Sequence, residues 1–275
     1  MPQDIRGGVP THWITAGNGP RQALLIHCSL GHAGGWSRMV AALDDVITAI
    51  AYDLPGHGRS ADWDGVSDIQ GVSTAMAADL LDHAGQGPAD IIGHSFGGTV
   101  AIRLAVERPD LVRSLVLIEP VFFAVAVQDR PALQVQDDAH MRAYREALRA
   151  GDRMAAARAF TSVWGDGRGW DRLPPAQQQA MAARIHLIDA GAPAIYGDCA
   201  GILSGGKLAA ITCPVLLIRG GDSPEAIAAI NDGLARRIPQ AQQAAIAGAG
   251  HMAPITHPAE VAEVARTFLQ GVPIT

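Results

Sequence analysis

The sequence predicts an α/β protein: a doubly wound, mostly parallel sheet interrupted by an inserted helical cap. Three observations carry that expectation. Short apolar runs alternate with helical patterns from Ala23 to Ile118 and again from Val215 to Leu269, as expected of strands buried on both faces. Residues 121–207 break the rhythm and offer helical patterns without a convincing strand. A glycine-flanked serine, Gly93-His94-Ser95-Phe96-Gly97, falls at a predicted strand-to-helix corner. The division that follows is a core of residues 1–120 and 208–275 and a helical cap of residues 121–207.

Each element has its own signal. Ala23 to His27 is the first buried strand, Trp36 to Leu43 the first helix and Ile47 to Tyr52 the next strand. Ser67 to His83 reads as a helix whose N-terminus Ser67 or Asp68 can cap, by accepting from a free backbone N–H. Ala89 to Ile92 is a strand, and Phe96 to Glu107 a helix that must end before Pro109. Val112 to Ile118 completes the first half. In the cap, Ala139 to Ala150 and Pro175 to Ala190 have helical spacing. The core resumes with a strand at Val215 to Ile218, a helix at Pro224 to Arg237, a strand at Ala241 to Ile246 and a closing helix at Pro258 to Leu269.

Composition removes several function classes. A chain of 275 residues, 48% hydrophobic and 17% charged, can bury a substantial core and has no disordered character. The net charge is −6, Lys207 is the sole lysine, and the arginines are dispersed; a phosphate backbone needs clustered cations, so no nucleic-acid partner is expected. The longest apolar stretch, Leu115 to Val127, is interrupted by Glu119 and Pro120, and Met1 to Pro10 lacks the apolar run of a signal peptide. No membrane association and a cytoplasmic location are therefore expected. Cys28, Cys199 and Cys213 are odd in number and far apart, which suits reduced thiols. The ten histidines include no HExxH and the cysteines form no CxxC, so no metal is expected.

The serine corner carries the chemistry. A turn this sharp holds its central residue in a strained conformation and crowds the residues two before and two after it, a need met by Gly93 and Gly97. A dinucleotide fingerprint would want glycine where Ser95 stands, which argues against a nucleotide cofactor. A serine hydroxyl is a weak nucleophile without a base beside it. Gly248-Ala249-Gly250-His251 follows the last predicted strand, in a loop whose glycines let the chain turn inward, so His251 is the expected base. His94 adjoins the serine on a tight corner, and His257 precedes Pro258 at a helix start; both suit the role less well.

These segments, with His27-Cys28-Ser29-Leu30-Gly31 and Asp53-Leu54-Pro55-Gly56-His57-Gly58-Arg59-Ser60, resemble those of the capped α/β-hydrolase family in the family's own order. The resemblance implies a hydrolase fold and serine-type chemistry, with an oxyanion hole formed by the Ser29 and Phe96 backbone N–H groups. Cys28 stands where the family usually has glycine, and the Asp53 to Ser60 loop is expected to brace the sheet. The orienting acid is expected in the turn after the strand that follows the cap, commonly three residues beyond a glycine. Counted from Gly220 that position is Ser223, and Asp222 falls one residue early. Asp222 is the first choice, with Glu119 at the end of the Val112 to Ile118 strand as its rival. The expected activity is hydrolysis of a small carboxylic ester or related acyl compound through an acyl-enzyme on Ser95, with no cofactor and a small-molecule substrate. Alternatives are cleavage of a carbon–carbon bond in a diketone-type substrate, or a non-catalytic small-molecule receptor.

Overall fold

The computed structural model describes residues 3–274. Strands β1 (Asp4–Arg6) and β2 (Val9–Thr11) pair as a small antiparallel hairpin. The remaining seven form one sheet in the order β3-β5-β4-β6-β7-β8-β9. These are β3 (Trp13–Ala16), β4 (Arg21–Ile26), β5 (Ile47–Tyr52), β6 (Ala89–His94), β7 (Val112–Ile118), β8 (Val215–Gly220) and β9 (Ala241–Ile246). Only β3 runs antiparallel, on the edge beside β5. The strand order reverses direction at β4, and in an open α/β sheet the crevice for ligands opens at the carboxyl ends beside such a switch.

The central strands bury both faces because successive side chains point to opposite sides. Leu115 and Leu117 of β7, with Val215 and Leu217 of β8, meet Val100 and Leu104 of α3 (Phe96–Glu107) and Ile230 and Leu234 of α10 (Glu225–Arg237) in one layer of core. Val116, Ile118, Leu216 and Ile218 face the other way, onto Met39 and Val40 of α1 (Ser37–Ala42) and Val261, Ala265 and Leu269 of α11 (Pro258–Gln270). Helix α2 (Ile69–Ala84) starts where expected: the Asp68 carboxylate accepts from the Gln70 N–H, and Gly85 ends the helix in the left-handed region at φ 62°.

Between β7 and β8 the chain forms helices and no strand: α4 (Phe123–Asp129), α5 (Ala132–His140), α6 (Arg142–Arg149), α7 (Arg153–Trp164), α8 (Pro175–Arg184) and α9 (Leu187–Ile195). The stretch read as one helix over 139–150 breaks at Met141, and that over 175–190 breaks at Ile185–His186. Leu133, Tyr144, Ala156, Trp164, Ile185 and Leu187 from these helices are continuous with the core layer on the α3 face. No described helix is long and apolar enough to cross a membrane.

Candidate active site

Ser95 sits between β6 and α3 at φ 56°, ψ −118°, a conformation that L-residues adopt only under constraint. The constraint is visible atom by atom. A Cβ on Gly93 would lie 2.5 Å from the Gly97 carbonyl oxygen, and one on Gly97 would lie 2.2 Å from that of Ile26 on the neighbouring strand. Only glycine lets the corner close against β4. The Ser95 N–H donates to the Ile118 carbonyl at 2.9 Å, which ties the corner to β7 as well.

His251 arrives from the loop after β9. Gly248 turns that loop at φ 72°, and the Asp222 N–H donates to the Ala249 carbonyl at 2.9 Å, locking it to the loop after β8. The imidazole Nε2 lies 3.0 Å from Ser95 Oγ, and Nδ1 lies 3.0 Å from Glu119 Oε2. All three side chains are buried. Since the carboxylate can only accept, Nδ1 carries the proton and Nε2 is left with a lone pair facing the serine hydroxyl.

The structure corrects the preference for Asp222. Its side chain is exposed, and only its backbone N–H takes part in holding the histidine loop. Glu119 is the carboxylate brought to the imidazole, because β7 and β8 are neighbours in register, Ile118 beside Ile218, and the chain leaves β7 at φ 52° with Glu119 turned in toward His251. Its second oxygen, Oε1, accepts a short hydrogen bond from the Gly220 N–H and another, 2.9 Å long, from Ser223 Oγ. Ser223 thus occupies the expected acid position and donates to the acid supplied by the next strand.

The loop after β4 completes the site. Neither the Ser29 nor the Phe96 N–H has a protein acceptor among the described residues, and Phe96 is the first residue of α3, where backbone donors point away from the helix. The loop is set from below by imidazoles. His57 Nε2 accepts from the N–H of Leu30, which is held at φ 62°, and His57 Nδ1–H donates to the Pro55 carbonyl at 2.8 Å. His27 Nε2 accepts from the Leu54 N–H while Nδ1–H donates to the Cys28 carbonyl at 2.7 Å. Each ring uses one nitrogen as acceptor and one as donor, so each must be neutral. Burial enforces this, lowering His27 to about 4 and His57 to about 3. Asp53 accepts from the Ala33 and Arg59 N–H groups and contacts His12, so this loop braces the segment after β4.

Two further side chains contact His251. His94, set aside because it adjoins Ser95, donates from Nε2 to the backbone carbonyl of His251 at 2.9 Å, and burial lowers it to about 3. Trp164, at the end of α7, stands edge-on over the His251 ring with centroids 4.8 Å apart. Nothing local marks either role; both depend on contacts distant in the chain. Cys28 is buried at the cavity wall, and burial pushes its thiol up to about 12, so it is a protonated wall residue and not a nucleophile.

Two cavities adjoin the site. An inner one of about 170 Å³ contains Ser95 and His251 in its wall and extends under α6 and α9; an outer one of about 650 Å³ is walled by the β4 loop, α7 and the residues after His251. The helices between β7 and β8 therefore roof the carboxyl edge of the sheet.

A nucleophile elbow, a buried serine–histidine–carboxylate chain and a doubly wound sheet together define a hydrolase-type α/β fold. The chain belongs to the alpha/beta hydrolase family, whose model matches residues 23–264. Lipase LipV of Mycobacterium tuberculosis is 40% identical over 149 residues, 54% of this chain and 53% of the relative, so the chain spans about half the length of that relative. A pimeloyl-acyl-carrier-protein methyl ester esterase of Neisseria meningitidis is 29% identical over 252 residues, covering 86% of this chain and 75% of the esterase. The crystal structure of an α/β hydrolase from Sphaerobacter thermophilus superposes with a TM-score of 0.69 at 24% identity, over 95% of this chain and 96% of the other, a likeness of fold.

Proposed function

We propose that this protein is a serine hydrolase cleaving small carboxylic esters through an acyl-enzyme on Ser95. The observation that carries the reading is the continuous hydrogen-bond chain from Ser95 Oγ through His251 to Glu119 beside two unused backbone donors. In the reaction so read, His251 Nε2 takes the hydroxyl proton as Oγ attacks the ester carbonyl, and Glu119 steadies the imidazolium. The Ser29 and Phe96 N–H groups receive the developing oxyanion, each such donor contributing roughly 100-fold or more in rate. Collapse expels the alkoxide, which leaves as the alcohol with the proton from Nε2. Water, deprotonated by the same nitrogen, then attacks the acyl-enzyme, releasing the acid and restoring Ser95. Asp222 has no part in this scheme.

The names of the relatives, a lipase and a methyl ester esterase, support ester bonds as the class cleaved. The helices over residues 121–207 act as the cap that closes on substrate, and the free thiols of Cys28, Cys199 and Cys213 suit a cytoplasmic enzyme. The test is labelling by a fluorophosphonate together with turnover of p-nitrophenyl esters, both of which should vanish in Ser95→Ala. Tight binding of a small molecule without turnover would make the protein a receptor. Preferential cleavage of a diketone-type substrate would keep the residues and change the reaction to carbon–carbon hydrolysis.

A further inference from the structure

We infer that Trp164 and Phe160 partition the site into a short acyl compartment and a large alcohol compartment, so that the substrates are short-acyl esters of bulky, flat alcohols. This rests on the hydrolase reading above and deepens it.

The inner and outer cavities share a wall built from Cys28, Ser29, Met252 and the two α7 aromatics. Trp164 is buried in that wall, its Nε1–H donating to Met141 Sδ at 3.4 Å and its ring packed edge-on against both His251 and Phe123. Chemistry decides which compartment takes which half of the ester. Ser95 and His251 line the inner cavity, so the ester carbonyl sits there; the leaving oxygen collects its proton from His251 Nε2, and the alcohol extends past the shared wall into the outer cavity, which is walled by Pro254 and Ile255 just beyond that histidine. The acyl group takes the rest of the inner cavity, among Val121, Phe123, Ile188 and Ile195.

The inner cavity of 170 Å³ is short. An apolar cavity of about 150 Å³ holds one benzene ring, so the space admits about six carbon atoms. Its far end is also closed by polar groups satisfied among themselves. The Tyr144 hydroxyl donates to Asp189 at 2.8 Å, the Tyr196 hydroxyl donates to Asp137 at 2.9 Å, and Arg145 lies 3.5 Å from Asp137. A longer alkyl chain would have to break these bonds and leave the buried Tyr144 hydroxyl or Asp137 carboxylate unpaired. The outer cavity, near 650 Å³, is in the range that encloses drug-sized molecules, and Trp36, Trp164 and Trp170 give it flat aromatic walls.

The experiment varies one half of the ester at a time: p-nitrophenyl acetate, butyrate, hexanoate, octanoate and decanoate, then methyl, phenyl and 1-naphthyl acetate. We expect kcat/KM to fall by about tenfold or more between butyrate and octanoate, the scale on which a closed apolar pocket discriminates chain length, and to rise from methyl to naphthyl acetate. Trp164→Ala should widen the opening between the two cavities and raise the octanoate-to-butyrate ratio by about tenfold. Phe160→Ala, at a less buried position in the same wall, should move the ratio in the same direction and serves where Trp164→Ala lowers the yield of folded protein. Equal turnover of butyrate and octanoate by the wild type, or an unchanged ratio in folded variants, overturns the partition. If fluorophosphonate labelling and ester turnover are intact, such a flat profile removes the partition alone; if both are absent, the hydrolase reading falls and takes the partition with it.

Discussion

Replacing Glu119 by glutamine tests the arrangement at its most constrained point. The carboxylate serves two sets of donors, with Oε2 accepting from His251 Nδ1 at 3.0 Å and Oε1 accepting from Gly220 and Ser223. An amide has one acceptor and one NH2. If its oxygen stays toward Gly220 and Ser223, the NH2 faces Nδ1, the imidazole proton moves to Nε2, and the ring can no longer take the Ser95 proton. If the amide flips, Nδ1 keeps its proton and an acceptor, but the NH2 faces the buried Gly220 N–H, which loses its partner. The first orientation leaves fewer groups unpaired and removes general-base catalysis; loss of the correct tautomer in such a triad lowers kcat about 10⁴-fold, or about 5 kcal/mol of transition-state stabilisation. Asp222→Asn, at an exposed side chain, should change kcat less than about twofold. Steady-state turnover of p-nitrophenyl acetate, with thermal melts to confirm folding, separates the two. A Glu119→Gln enzyme within tenfold of wild type, or a comparable loss in Asp222→Asn, would refute the assignment.

Ser223→Ala removes one donor from Glu119 Oε1 and leaves the Gly220 N–H; a hydrogen bond to a charged group contributes about 1.5 kcal/mol or more, so kcat should fall about tenfold with KM little changed. An unaltered kcat would show that Gly220 alone suffices to orient the acid. Stability should decline toward acid because His27, His57 and His94 are held neutral, at about 4, 3 and 3, against an ordinary value of 6.5. The unfolded chain takes up these protons first. Their contribution is therefore whole above pH 6.5 and is lost as the pH falls toward 4 and then 3, at about 1.4 kcal/mol per pH unit for each ring. Thermal melts between pH 7 and pH 4 should show Tm falling steadily below 6.5; a constant Tm across that window contradicts the neutral-imidazole account.

The parts of the fold legible in the sequence are those fixed by short-range rules. Buried strands such as Leu115 to Ile118 announce themselves because both faces are covered, and the elbow does so because Gly93 and Gly97 answer a steric demand within five residues. The N-terminal strands did not stand out: β1, β2 and β3 have three or four residues each, too few for alternation to register. Helical spacing around Met141 and Ile185 persists across breaks that tertiary packing imposes. Ser95 and His251, which the structure brings to 3.0 Å of one another, each stand out in their own loops. The acid does not, since Glu119 and Asp222 sit at the ends of adjacent strands and only the register of β7 against β8, with the turn at φ 52°, decides which one faces inward.

The bond from the His94 ring to the His251 carbonyl joins the strand that leads into Ser95 to the loop bearing His251. Both therefore ride on the sheet as one body, while Tyr144, Phe160 and Trp164, which line the inner cavity, ride on the helices above. In the proposed hydrolase, proton transfer and molecular selection are thus mounted on separate supports. The upper helices can shift, or diverge in sequence, and change what is admitted while the serine and its base keep their spacing.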